Sequence, residues 1–116
     1  MSSKYKPGED AIAHFVTFSV VGWIDIFSRE LYKEIFINSL KYCQESKGLK
    51  LHAWVIMTNH VHLIMSSNTN KIEDIVRDLK KYTSKQIIAA IQENATESRK
   101  EWMLSLFNFA GKSNSN

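Results

Sequence analysis

His60 and His62 stand one residue apart in Thr58-Asn59-His60-Val61-His62-Leu63-Ile64, a run that otherwise reads as a buried strand. Side chains on a strand alternate between faces, so the two imidazoles share one face, about 7 Å apart along the strand, while Val61 and Leu63 turn toward the core. Two imidazoles presented together can converge on a single divalent ion. Imidazole suits zinc, manganese and other transition ions, and beside carboxamide or carboxylate oxygens it can also hold magnesium or manganese for phosphate chemistry. A pair of polar residues on a solvated face would need no metal. The flanks argue for more, because residues 51–57 and 61–65 form two apolar strands joined by a tight turn at Thr58-Asn59. Asparagine favours such turns by tolerating left-handed geometry and bonding its own backbone. The histidines therefore open a well-anchored strand, expected at the centre of a sheet.

A second chemical cluster follows. Arg77, Lys80, Lys81 and Lys85 fall within nine residues, with Asp78 opposing them, and phosphate binding needs positive surface of this kind. Thr83 and Ser84 add hydroxyls that can bond phosphate oxygens. Tyr82 and Gln86 are spaced i, i+4 and so share one side of a helix. A tyrosine can attack a phosphodiester and a glutamine can complete a metal shell. The bland alternatives are an ordinary solvated helix face and a tyrosine at the margin of a buried stripe.

The elements that must hold these residues can be read in order. Residues 14–21 alternate β-branched and aromatic side chains with period two and read as a first strand ending at Gly22. Ser28 is placed to cap a helix from Glu30 to about Ser46, stopped by Gly48. The strands at 51–57 and 61–65 come next. Asn70 with Glu73 resembles a capping box, opening a helix to about Asn94 with Ile72, Ile75, Val76, Leu79, Ile87, Ala90 and Ile91 as its buried stripe. A shorter helix from Ser98 to about Ala110 carries Trp102, Leu106 and Phe109, and Lys112 to Asn116 reads as a loop. The order strand, helix, strand, strand, helix, helix predicts an α+β fold. It is a ferredoxin-like split βαβ unit whose antiparallel sheet carries the His-x-His strand, with helices on one face.

Composition sets the outer bounds. The 116 residues suit one domain, and 44% hydrophobic content supports a real core. No apolar run reaches the ~18 residues needed to span a bilayer, and residues 1–7 precede no signal-peptide apolar region; a cytoplasmic location is expected. Cys43, the single cysteine, reads as a buried apolar thiol. His14 and His52 read as packed or surface histidines, and Trp23, Trp54 and Trp102 as core or interface residues. The net charge of +3 fits a polyanionic partner.

Taken together, the segment from Leu51 to Ile64 resembles the signature of the HUH single-tyrosine transposases, the insertion-sequence-200-like proteins and their repeat-associated relatives. The resemblance extends from His14-Phe15-Val16-Thr17-Phe18 to Asp78-Leu79-Lys80-Lys81-Tyr82-Thr83-Ser84-Lys85, nearly the whole chain. It implies a metal-dependent enzyme that nicks and joins single-stranded DNA at hairpin-bearing ends. His60 and His62 would bind Mg2+ or Mn2+, and Arg77, Lys80, Lys81, Thr83, Ser84 and Lys85 would hold the DNA. A tyrosine would attack to leave a 5′-phosphotyrosine and a free 3′-hydroxyl. Members are often homodimers, so a second copy is a partner to expect.

The nucleophile is where the sequence departs from the pattern. The family usually carries it on a later helix, in a Tyr-x-x-x-Asn or Tyr-x-x-x-Gln arrangement, and no tyrosine follows Gln86. Tyr82 with Gln86 matches the spacing but lies in the earlier, DNA-facing helix. The expectation is a single catalytic domain over residues 1–116 that stops before the tyrosine-bearing helix, with Tyr82 as fallback nucleophile and Gln86 as fallback ligand. Two other functions fit the same residues. One is a nonenzymatic single-stranded nucleic-acid-binding module of ferredoxin-like fold, which would expect exposed aromatics where His60 and His62 stand. The other is a small metal-dependent hydrolase, which would commonly want carboxylates beside the histidines.

Overall fold

Three strands, β1 (His14–Ser19), β2 (Lys50–Ile56) and β3 (His60–Ser66), form an antiparallel sheet in the order β1-β3-β2, in a computed structural model that describes residues 9–114. Three helices complete the fold: α1 (Glu30–Ser46), α2 (Ile72–Glu93) and α3 (Lys100–Asn114). β1, α1 and β2 make the βαβ unit, and β3 inserts between its two strands, as the element order predicts. Residues 1–7, read above for the lack of a signal peptide, lie outside the described residues.

The alternation within β3 decides the layering. Val61, Leu63 and Met65 are fully buried and join one core with Phe36 and Leu40 of α1 and Ile75, Leu79, Ile87 and Ile91 of α2. That core covers one face of the sheet with helices. His60, His62 and Ile64, offset by one residue, take the opposite face and are half-buried. A one-residue slip would exchange the two sets, so burial of three apolar side chains is what fixes the histidines on the open face. Cys43 is buried in the core, as expected.

The helix ends differ from the sequence reading. Arg29, and not Ser28, is the residue preceding α1, because a 3-10 turn at Ile26–Ser28 comes first and the Ser28 hydroxyl donates to the Asp25 carbonyl at 2.7 Å. Asn70 does not cap α2; its amide donates to the Lys47 carbonyl at 2.7 Å. The first-turn N–H of Ile72 instead donates to Asp10 Oδ1 at 2.9 Å, a cap supplied from far back in the chain. α3 starts at Lys100 and runs to Asn114, past Gly111 and into the stretch from Lys112 read as a loop. One glycine costs a helix only about 1 kcal/mol relative to alanine, less than the packing of Leu106, Phe107 and Ala110 can offset. Among the described side chains of α3, Met103 is the buried one, while Trp102 and Phe109 are exposed. Trp23 and Trp54 are exposed too, so none of the three tryptophans is a core residue.

The connection between α2 and α3 is pinned by a buried carboxylate. Glu97 Oε1 accepts from Arg29 Nε (2.9 Å) and the Tyr32 hydroxyl (3.0 Å), and Oε2 accepts from Arg29 Nη2 (3.3 Å) and the Arg99 backbone N–H (3.2 Å). The Arg29 guanidinium, with this further bonding, holds the Glu97 carboxyl at about 2, against its ordinary 4.5.

Candidate metal and nucleic-acid site

The histidine pair is set by its neighbours across the sheet. His62 lies opposite Thr17 on β1 and Val55 on β2, and His60 lies opposite Ser19. Side chains on one face of paired strands reach both the residue directly opposite and its diagonal neighbours, and His62 makes one polar contact of the first kind, with Thr17, and one aromatic contact of the second, with Phe15, which itself lies opposite Ile64. Thr17 Oγ1 and His62 Nδ1 are 2.9 Å apart, and the Phe15 ring stacks on the His62 ring at 5.3 Å. His60 Nδ1 is 2.8 Å from the side-chain Oδ1 of Asn59. The two imidazole centroids are 4.8 Å apart, with their planes at 76°.

Both Nδ1 atoms are thus tied back to the protein, and each Nε2 is left without a protein partner among the described residues. Histidine ligands of metals ordinarily hold one ring nitrogen in just such a hydrogen bond, which orients the ring and frees the other nitrogen. The donor set fits a divalent ion as a two-imidazole half-site. Among the described residues, no cluster of three or more His, Cys, Asp or Glu side chains is arranged to hold a metal. A carboxylate-rich hydrolase site is therefore not found beside the histidines.

The other expected site residues lie on the helix layer. Tyr82 stacks on Tyr42 of α1, with centroids 5.3 Å apart and planes at 21°, and both rings are partly exposed. Gln86, one turn on, is exposed on the same helix. The core stands between these residues and the histidine face, so within one chain neither Tyr82 nor Gln86 joins His60 and His62. His14 Nδ1 is 2.7 Å from the Ile12 carbonyl oxygen, and His52 Nε2 is 2.7 Å from Ser66 Oγ, both outside the pair.

The basic cluster divides by environment. Arg77 pairs with Asp74 (3.2 Å) as well as Asp78 (3.3 Å), one carboxylate more than the sequence reading counted. Lys80 Nζ lies 5.7 Å from the centroid of the Phe18 ring, on the core-facing side of β1, beside an open groove of about 1070 Å³ lined by β1, α2 and the later part of α3. Lys81, Ser84 and Lys85 are exposed. Thr83 is buried in the α2 stripe, lining that groove.

Sequence reasoning passed over Thr17, Phe15 and Asn59 as parts of the site. The signal for the first two was present: they occupy the outward-facing positions of an alternating strand, and only the pairing register, with Thr17 opposite His62, turns that into proximity.

A family model described as "Transposase IS200 like" matches residues 11–112. No curated protein matches the chain. Among solved structures, the chain is similar to the crystal structure of a candidate transposase from Deinococcus radiodurans R1, at 13% identity and a TM-score of 0.60, over 95% of this chain and 94% of that one. At that identity the likeness is one of fold.

Proposed function

We infer the activity from a plain premise: this chain belongs to the IS200-like transposase family. The proposed function is metal-dependent nicking and strand transfer on single-stranded DNA with hairpin ends, with a second copy of the chain as partner. The observation that carries it is the pair of imidazoles on the central strand, 4.8 Å apart, each with Nδ1 tied back to a neighbour. Mg2+ or Mn2+ held by His60 and His62 would supply Lewis-acid polarisation of a phosphate oxygen. Thr17 and Asn59 hold the imidazoles in orientation, and Lys81 and Lys85, exposed and without a carboxylate partner among the described residues, offer charge to the DNA backbone.

Tyr82 is not the nucleophile in this reading. Its ring is engaged with Tyr42 on the layer away from the histidines. The chain supplies the ligand pair and the DNA surface, and the attacking tyrosine reaches the histidine face from elsewhere.

One observation favours a second reading, a nonenzymatic single-stranded nucleic-acid-binding module: Phe15 is 67% exposed on the open sheet face, where a base could stack on it. A labelled hairpin-bearing single strand with Mn2+, followed by native and denaturing gels, separates the two. The catalytic reading expects DNA retention that chelator and His60→Ala both reduce, and any covalent adduct to persist in Tyr82→Phe. Retention indifferent to chelator and to His60→Ala, with no cleavage, would establish the binding module instead.

A further inference from the structure

Asn59 sits between the two strands of the hairpin that carries His60, and its backbone is clamped from both sides. The Val20 N–H donates to the Asn59 carbonyl and the Phe27 N–H to the Thr58 carbonyl, both at 2.9 Å, while the Met57 N–H closes the turn onto the His60 carbonyl at 2.8 Å. The side chain has two ends that differ in hydrogen-bond character: the amide nitrogen only donates and the oxygen only accepts.

Which end meets which partner is decided by Trp23. Gly22 and Trp23 turn through the left-handed region, with φ of 67° and 57°. A bulky L residue is rare there and persists only where its surroundings over-determine it. A consequence of that turn is that the Trp23 carbonyl faces Asn59 Nδ2, which donates to it at 3.4 Å. Reversing the amide would set two acceptor oxygens against each other. Oδ1 is therefore directed at His60, where Nδ1 lies 2.8 Å away. An amide oxygen cannot donate, so the proton of that bond belongs to Nδ1.

We propose that Asn59 is a positioning residue that fixes His60 as its Nδ1–H tautomer, leaving a bare Nε2 lone pair on the open face of the sheet. The two histidines are thereby unequal. His62 faces the Thr17 hydroxyl, which both donates and accepts, so its tautomer is left free while its ring is held against Phe15. The Gly22–Trp23 turn belongs to the same device, because it supplies the carbonyl that orients the amide. This inference rests on the reading of His60 as a ligand, and it can fail separately from that reading.

The test is long-range 1H–15N NMR on the uniformly 15N-labelled full chain, metal-free, at a pH where the imidazoles are neutral. Wild type is expected to show His60 as Nδ1–H. Asn59→Leu is expected to mix the His60 tautomers and to weaken Mn2+ binding about 10- to 100-fold. Asn59→Asp, which keeps an acceptor at the same place, is expected to retain Nδ1–H, with the His62 signals serving as an internal control in all three. A wild-type His60 protonated at Nε2, or an Asn59→Leu variant that folds and keeps the Nδ1–H tautomer, would overturn the proposal. If Asn59→Leu does not fold, the wild-type and Asn59→Asp tautomers still decide it. Tautomers as expected with no Mn2+ binding in wild type would contradict the metal reading and leave the orientation of His60 standing.

Discussion

Two polar clusters in this chain use hydrogen bonds in opposite ways. Around Glu97 both carboxylate oxygens have partners, drawn from Arg29, Tyr32 and Arg99, and the side chain is out of solvent. Around His60 and His62 each ring has one nitrogen held and one left over, on a half-buried face. A buried polar group with every bond made fixes a geometry. One that keeps an unused lone pair, oriented by its neighbour, has something to offer a ligand. The comparison assigns structure to the first cluster and function to the second.

The largest effect should come from the structural cluster. Glu97→Ala leaves Arg29 and the Tyr32 hydroxyl facing an apolar gap, and loss of one partner from such a pair costs about 3 kcal/mol, reduced here because Arg29 is partly in water. Urea unfolding is expected to show that loss while the folded variant keeps its Mn2+ affinity. Destabilisation together with lost metal binding would erase the distinction between the clusters.

Acid should find the same cluster. Glu97 is held at about 2 in the folded chain against 4.5 ordinarily, so the unfolded chain takes up its proton first as pH falls. Its stabilisation is complete above pH 4.5 and is lost progressively toward pH 2. Melting temperature against pH is expected to drop more steeply over that window in wild type than in Glu97→Gln.

A smaller effect sharpens the comparison on the DNA side. Lys81→Ala with Lys85→Ala is expected to lower the salt slope of single-stranded DNA binding by about 0.7 for each phosphate that is no longer neutralised. Arg77→Ala is expected to change it least, since Asp74 and Asp78 already neutralise that guanidinium. Filter binding at several salt concentrations reads both.

The two clusters also differ in how far the sequence revealed them. His60 and His62 were legible because strand alternation is local: once Val61 and Leu63 are buried, the faces follow. The element order and the central place of β3 came from the same kind of pattern. Glu97 gave no such signal, since its partners Arg29 and Tyr32 are 68 and 65 residues away. The capping expectations at Ser28 and Asn70 failed for a related reason: each side chain found a backbone carbonyl outside its helix, while Asp10 arrived from elsewhere to serve Ile72. The exposed tryptophans show that hydrophobicity reveals what favours burial, and not whether the fold covers it. The second carboxylate on Arg77 was readable, because Asp74 stands three residues before it on one helix.

The most direct test of the account is an Mn2+ titration followed by loss of the free-ion electron paramagnetic resonance signal, on wild type, His60→Ala and His62→Ala, with folding checked by circular dichroism. The account predicts binding in wild type, loss of binding in each variant, and stability within about 1 kcal/mol of wild type. Unchanged Mn2+ affinity in both folded variants would contradict it.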